Sequence, residues 1–359
     1  MKRFIANLLI AALFVASTIE LWAKMTGNLQ NAKIDAERDA KYLMPDERLG
    51  WTNRAGAEGR FLSKQYGYDS LVSFDAMGLR RNGPRPAGND ERRILIVGDS
   101  NTVGMEVDDD KTYPAVLERE FLANGKRVRV YNAGVRGYGA DQTLLRLKML
   151  LPVLRPDLVL FMASYYGYQQ IMVVKNWYRP YSKPAYALVS DRLELMNSPA
   201  RSMDDDTYVY IDYGGGAPRV VEHLAKPSGI SRWLRKRSVV YLWLEDIYYG
   251  RINNKAITPP PPDKALQEKI FALLVLEMKK MSPDFMMTCS SRGKEFDPPL
   301  YAEMKAIAKK ERIPFLDIQP FFQGDGASYE IRGDGHWNES GHRQAGAALY
   351  DLLKWKLPK

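Results

Sequence analysis

Ile94-Leu-Ile-Val-Gly-Asp-Ser-Asn-Thr-Val-Gly104 opens with an apolar run, breaks at a glycine and places a serine two positions further on. A run of this length fits a buried strand, and Gly98 marks its end. A serine on the turn beyond it projects from the strand's C-terminal end, where a hydroxyl can meet a substrate. Serine is a weak nucleophile until a base takes its proton. If Ser100 acts in that way, the base lies elsewhere in the chain.

Few bases are on offer. The 359 residues hold three histidines, His223, His336 and His342. His336 stands in Arg332-Gly-Asp-Gly-His-Trp-Asn-Glu-Ser-Gly-His342, two residues after Asp334. In an extended segment, residues i and i+2 point to one side. Asp334 can then accept a hydrogen bond from the inner imidazole nitrogen and fix its tautomer, the third member of a Ser/His/Asp arrangement. The plainer reading of the same segment is an Asp-Gly turn before a helix. His342, beside a glycine near a helix start, reads as structural, and His223 has no evident partner.

Composition narrows the field. The apolar content of 45% is that of an ordinary globular protein. The net charge of +9 is spread along the chain, and its densest basic run is Arg232-Trp-Leu-Arg-Lys-Arg237. That run reads as a solvated or membrane-facing surface. No nucleic-acid motif accompanies it, so no nucleic-acid partner is expected. The single cysteine, Cys289, cannot form an intrachain disulfide and reads as a small buried hydrophobe at a strand end. Without His and Cys at ligand spacing, no metal and no cofactor are expected.

Lys2 and Arg3 precede an apolar run over residues 4–19. A positive start followed by an apolar core reads as a signal anchor or a cleaved signal peptide over residues 1–24, with the N-terminus in the cytoplasm. The expected location is a bacterial inner membrane, single-pass with a periplasmic domain, or the periplasm if the segment is removed. Residues 25–90 read as an N-terminal extension of turns and short strands, with a linker at 84–91.

Beyond it the pattern alternates. Apolar runs at 94–97, 128–131, 158–162, 285–288 and 315–318 suit buried strands. Helical stripes separate or follow them: Tyr113, Leu117, Phe121; Leu144, Leu147, Leu151; Leu266, Ile270, Leu274, Met278; Tyr301, Met304, Ile307; and Ala345, Leu349, Leu352. The expectation is a flavodoxin-like three-layer α/β/α domain over 91–357 with about five parallel strands. Residues 165–262 break the alternation and read as an inserted lid. This region contains a hairpin-like stretch at 186–196, a Gly214-Gly-Gly216 run and a proline connector at 259–262.

On these motifs the chain resembles the SGNH (GDSL-like) hydrolase family over residues 91–356, excluding the insertion. The nucleophile block is similar to Gly98-Asp-Ser-Asn-Thr-Val-Gly104, the second to Asn132-Ala-Gly-Val-Arg-Gly137, and the last to Asp334-Gly-His336. Residues 25–90 also look similar to lead-ins of membrane-anchored bacterial members linked to polysaccharide modification. The resemblance implies Ser100 as nucleophile, His336 as base, Asp334 as its partner, and the Ser100 and Gly137 amides as an oxyanion hole. The third block departs from the family pattern. Phe161-Met-Ala-Ser-Tyr-Tyr-Gly-Tyr-Gln-Gln170 holds no Asn, and Tyr166, Tyr168 or Gln169 are the candidates to supply its donor. Trp337, Tyr165 and Tyr168 are the candidates to stack on sugar rings. The implied activity is an esterase or O-acetyltransferase acting on acyl esters of a polysaccharide, the transferase form drawing on a membrane acyltransferase. A non-catalytic polysaccharide-binding module or a scaffold would keep the fold without turnover.

Overall fold

The computed structural model of the chain describes residues 2–25, 39–85, 92–175, 181–201, 207–214, 217–224, 263–282, 284–290 and 298–356, with scattered positions between 230 and 244. Helix α1 is Lys2–Met25. Two antiparallel hairpins follow, β1 Leu43–Asp46 with β2 Gly50–Asn53, and β3 Glu58–Ser63 with β4 Tyr68–Ser73. Next come β5 Arg92–Gly98, α2 Ser100–Val103, α3 Tyr113–Ala123, β6 Val128–Asn132, α4 Ala140–Leu154, β7 Leu158–Ala163 and α5 Tyr165–Gln169. The insertion carries β8 Val173–Lys175, β9 Ala185–Val189, β10 Arg192–Met196, β11 Thr207–Asp212 and β12 Arg219–Leu224. The chain then adds α6 Lys264–Met281, β13 Phe285–Cys289, α7 Pro298–Lys310, α8 Gly326–Tyr329 and α9 Glu339–Leu353.

Four strands form one parallel sheet in the order β13-β7-β5-β6. The fifth strand expected at 315–318 is reduced to a parallel bridge between Met287 and Phe315. Met287 N–H donates to the Pro314 carbonyl at 2.9 Å, and Leu316 N–H to the Met287 carbonyl at 2.8 Å. Proline lacks the N–H that a longer ladder would use. Pro314 precedes the bridge, and Pro320 lies in a 3-10 turn just after it. Counted with that bridge, the spatial order is second, first, third, fourth, fifth, the flavodoxin-like order.

Side chains alternate across the strands, so each face buries its own half. Ile94 and Ile96 pack with Leu117 and Phe121 of α3 and with Ala345, Leu349 and Leu353 of α9. Leu95 and Val97 pack with Leu144 and Leu147 of α4, Phe271 and Leu274 of α6, and Met304 of α7. This gives three layers, helices on both faces of a parallel sheet. Most residues of the stripes read from the sequence lie on these buried faces, while Leu151, Leu266, Ile307 and Leu352 are only partly buried, and in α9 Leu353 rather than Leu352 is fully buried.

The predicted hairpin in the insertion is β9–β10, turning on Ser190 and Asp191 at φ +44° and +63°. Such a two-residue, left-handed turn matches the twist of paired strands. β12, β11 and β8 form a separate antiparallel sheet. A buried ion pair between Lys183 and Asp141 ties the insertion to the start of α4. The proline run at 259–262, Trp177, Tyr178, Gly215, Gly216, most of the 232–237 basic run and the linker after Arg85 lie outside the described residues.

The extension is built into the core of the domain. Tyr42, Phe61, Val72 and Phe74 pack with Val103 and Met105, and Leu49 and Trp51 pack with Val135 and Tyr138. Asn53 donates to the Gly78 and Gly134 carbonyls at 3.0 and 2.9 Å. Arg80 is 2% exposed, pairs with Asp109 at 2.6 Å, and donates to the Val107 and Gly104 carbonyls at 2.8 and 3.2 Å. Burying a guanidinium is tolerated only when its donors are so occupied. Among the described residues, no helix is long and apolar enough to cross a membrane.

Arg80→Met strips the buried Asp109 of its cation. We expect a loss of about 3–5 kcal/mol, read as a lower urea midpoint; an unchanged midpoint contradicts this account of the clamp.

Candidate functional site

The site begins where β5 ends. A Cβ on Gly98 would lie 2.2 Å from Thr102 Oγ1 and 2.9 Å from the Met162 carbonyl, so only glycine lets the chain turn here. Asp99 caps the short helix α2 by accepting Asn101 N–H at 3.1 Å, and α2 ends at Gly104 in the left-handed region. Ser100 is the first residue of α2 and is 8% exposed. The second turn is strapped against it: Val135 N–H donates to the Gly98 carbonyl at 3.2 Å, and Asn132 Nδ2 to the Thr102 carbonyl at 2.8 Å. That turn presents Gly137 at φ +79°. Among the described residues, neither the Ser100 nor the Gly137 amide donates to a protein acceptor.

The late segment arrives as a tight turn rather than the extended stretch expected. Ile331 N–H donates to the His336 carbonyl at 2.8 Å, closing a loop with Gly333 and Gly335 both at φ +80°. Its base is fixed by Asn101 Oδ1, which accepts Trp337 N–H at 3.3 Å, and by Asn338, which caps α9 through Gly341 N–H at 3.1 Å. The result joins all three residues singled out. His336 Nε2 lies 2.8 Å from Ser100 Oγ, and His336 Nδ1 lies 2.6 Å from Asp334 Oδ1.

A fourth group was not visible in the sequence. Glu106 is 4% exposed, and its Oε1 lies 3.7 Å from His336 Nδ1 while it also binds Arg136 Nη1. In Met105-Glu-Val-Asp-Asp-Asp110 it reads as one of a run of solvated acids. Burial works against charge on Glu106, yet His336 and Arg136 hold its carboxyl down at about 2. Burial likewise opposes the His336 imidazolium, but the Glu106 charge and the Asp334 hydrogen bond together raise its pKa above the ordinary value, with Arg136 opposing. Glu106, Asp334 and His336 offer ligand-type atoms within 4.8 Å of one another. His336 Nδ1 is committed to Asp334 and Glu106 Oε1 to Arg136, so the arrangement is one of paired charges.

The aromatic expectations fare unevenly. Trp337 is 0% exposed and packs on Tyr113 and Phe322, so it cannot stack on a sugar; next to His336 on the chain, it turns the other way into the α3/α9 layer. Tyr168 is 5% exposed with its ring edge on Phe271, which corrects its assignment to substrate. Tyr165 and Gln169 are exposed and Tyr166 half-buried on α5. Ser164 Oγ accepts Gly167 N–H at 2.9 Å and donates to Asp99 Oδ2, which sets the start of α5 against the Ser100 turn. His342 is buried, and its Nδ1 accepts Tyr113 N–H at 3.2 Å, a structural role as read. His223 lies on β12 opposite Tyr208. Cys289 is buried at the end of β13, where burial pushes its thiol pKa up.

No protein-family model matches the chain. An arylesterase of Vibrio mimicus is 34% identical over 74 residues, which span 21% of this chain and 37% of that relative's length. Among solved structures, a lipase/acylhydrolase from Enterococcus faecalis is similar with a TM-score of 0.40 at 13% identity, over 74% of this chain and 97% of that one. A GDSL-like lipase from Bacteroides thetaiotaomicron is similar with a TM-score of 0.35 at 16% identity, over 74% and 90%.

Burial lowers the His342 pKa to about 3. The unfolded chain, with a pKa near the ordinary 6.5, therefore binds a proton that the folded chain refuses. The stability due to neutral His342 is complete above pH 6.5 and is lost as pH falls toward 3, by up to about 1.4 kcal/mol per pH unit. We expect His342→Gln to flatten urea-derived stability against pH across that window; a slope equal to wild type contradicts it.

Proposed function

We propose that this chain is a serine ester hydrolase or O-acyltransferase of the SGNH (GDSL-like) type, with Ser100 as nucleophile, His336 as general base and Asp334 holding His336. The observation that carries the reading is the hydrogen-bonded chain Ser100 Oγ, His336 Nε2, His336 Nδ1, Asp334 Oδ1, at 2.8 and 2.6 Å. The 74-residue likeness to an arylesterase points the same way.

In this reading His336 Nε2 takes the Ser100 proton as Oγ bonds to the ester carbonyl carbon. The carbonyl oxygen gains the negative charge and accepts hydrogen bonds from the Ser100 and Gly137 amides, with a third donor from the Tyr166 hydroxyl or the Gln169 amide in place of the family's Asn. The tetrahedral species collapses, the ester C–O bond breaks, and His336 returns its proton to the departing alkoxide. Water or a sugar hydroxyl then gives its proton to His336 and attacks the acyl-Ser100 carbonyl. Ser100 leaves as the alkoxide and recovers the proton from His336. Asp334 keeps Nδ1–H oriented through every step.

The substrate class we propose is an acyl ester of a cell-envelope or secreted polysaccharide, approached along the exposed Tyr165 face of α5. Location at the inner membrane with a periplasmic domain, or free in the periplasm after cleavage, rests on the Lys2-Arg3 start and the apolar run after it. Ile10, Phe14, Leu21 and Trp22 of α1 are each more than half exposed, an apolar surface suited to a membrane. A membrane acyltransferase would supply the donor for the transferase form.

The test compares wild-type full-length chain with Ser100→Ala and Asp334→Asn on nitrophenyl acetate. We expect Ser100→Ala and Asp334→Asn to lower the rate by about 10³-fold or more. Equal release by wild type and Ser100→Ala would leave a binding module or scaffold as the better reading.

A further inference from the structure

We infer that Glu106, held by Arg136, is a second carboxylate partner of the His336 imidazolium alongside Asp334. The inference rests on the reaction proposed at Ser100 and adds two positioning residues to it.

Both carboxylates converge on one nitrogen. Asp334 Oδ1 takes the hydrogen bond to Nδ1 at 2.6 Å, and Glu106 Oε1 stands 3.7 Å from the same atom. The Glu106 side chain is 1% exposed, so solvent does not screen it. The charged groups facing His336 are Asp334 from its own turn, Glu106 from the loop after α2, and Arg136 from the turn after β6. Arg136 also stands 3.9 Å from Asp39, so its charge is shared between Glu106 and a second carboxylate, and the surroundings of His336 stay net negative, which favours its protonated form.

The pair is held from both sides by the extension. Ser70 Oγ donates to the Met105 carbonyl at 2.5 Å, and Arg80 donates to the carbonyls of Gly104 and Val107 that flank Glu106. Trp51 Nε1 donates to the Arg136 carbonyl at 2.9 Å, and the Arg136 guanidinium lies 5.5 Å from the centre of the Phe61 ring. Arg136 directly precedes Gly137. One ion pair therefore links the proposed base to the loop that presents the proposed oxyanion donor. Glu106 favours the imidazolium that forms when Ser100 is deprotonated, and Arg136 limits how strongly it does so.

The experiment follows the histidine titrations of the full-length chain, isotope-labelled at its three histidines, by NMR. His336→Gln identifies the resonance. We expect wild-type His336 to titrate above 6.5, Glu106→Gln to titrate lower, and Arg136→Gln to titrate higher; Glu106→Asp, which keeps the charge, restores part of the shift. The acid limb of the pH–rate profile on nitrophenyl acetate moves in the same directions. Opposite shifts from the two variants exclude a general loosening of the site, and Arg136→Gln with Glu106→Asp carries the test if Glu106→Gln does not fold. An His336 titration equal in wild type, Glu106→Gln and Arg136→Gln overturns the inference. The NMR readout needs no turnover. Shifted titrations with hydrolysis unaffected by Ser100→Ala would keep Glu106 as the partner of His336 and refute the reaction instead.

Discussion

A hydrogen bond between Ser100 and His336 joins residues 236 positions apart, and much of the fold serves to make that meeting short. Ser100 leaves the C-terminal end of β5, a central strand, while His336 comes in on the turn before α9. Both α9 and α3 pack on one face of the sheet, so the last helix returns to the side from which the first one departed. Trp337 is the anchor of that return. Its buried ring fills the layer against Tyr113 and its amide is held by Asn101, the neighbour of Ser100. Flavodoxin-like sheets gather ligands beyond their strand ends for the same topological reason.

Electrostatics set the second constraint. Glu106, Asp334 and Arg136 are charged groups withdrawn from water around one imidazole, and each is costly to bury unless paired. Residues 39–85 meet much of that cost. They close over the loop carrying Glu106 with the Arg80–Asp109 pair and fix the backbone of Arg136 through the Trp51 indole. The extension is thus a wall of the site. A chain reduced to the alternating α/β core would lose the partners that keep these charges in register.

The sheet was legible because buried parallel strands are short apolar runs, and four of the five runs are strands. The run at 315–318 failed because its flanking prolines leave room for a bridge and no more. Ser100, Asp334 and His336 were legible because few residue types can do the proposed chemistry and only three histidines exist. Glu106 and Arg136 were not, since an acid in Met105-Glu-Val-Asp-Asp-Asp110 shows nothing of its burial until β3 and β4 close over it. Trp337 was misread for the opposite reason. Its neighbour on the chain faces the site, but the turn that delivers His336 leaves the Trp337 ring buried against Tyr113 and Phe322. Tyr168 followed the same logic on a helix, where one face of α5 is exposed and the other meets Phe271.

The central claim is that Ser100 is an activated nucleophile. Treating the full-length chain with a fluorophosphonate and mapping the adduct by peptide mass spectrometry tests it without assuming a substrate. The account predicts a single covalent adduct on the peptide containing Ser100, lost in a His336→Ala variant. An unmodified Ser100, or equal labelling when His336 is removed, would contradict it.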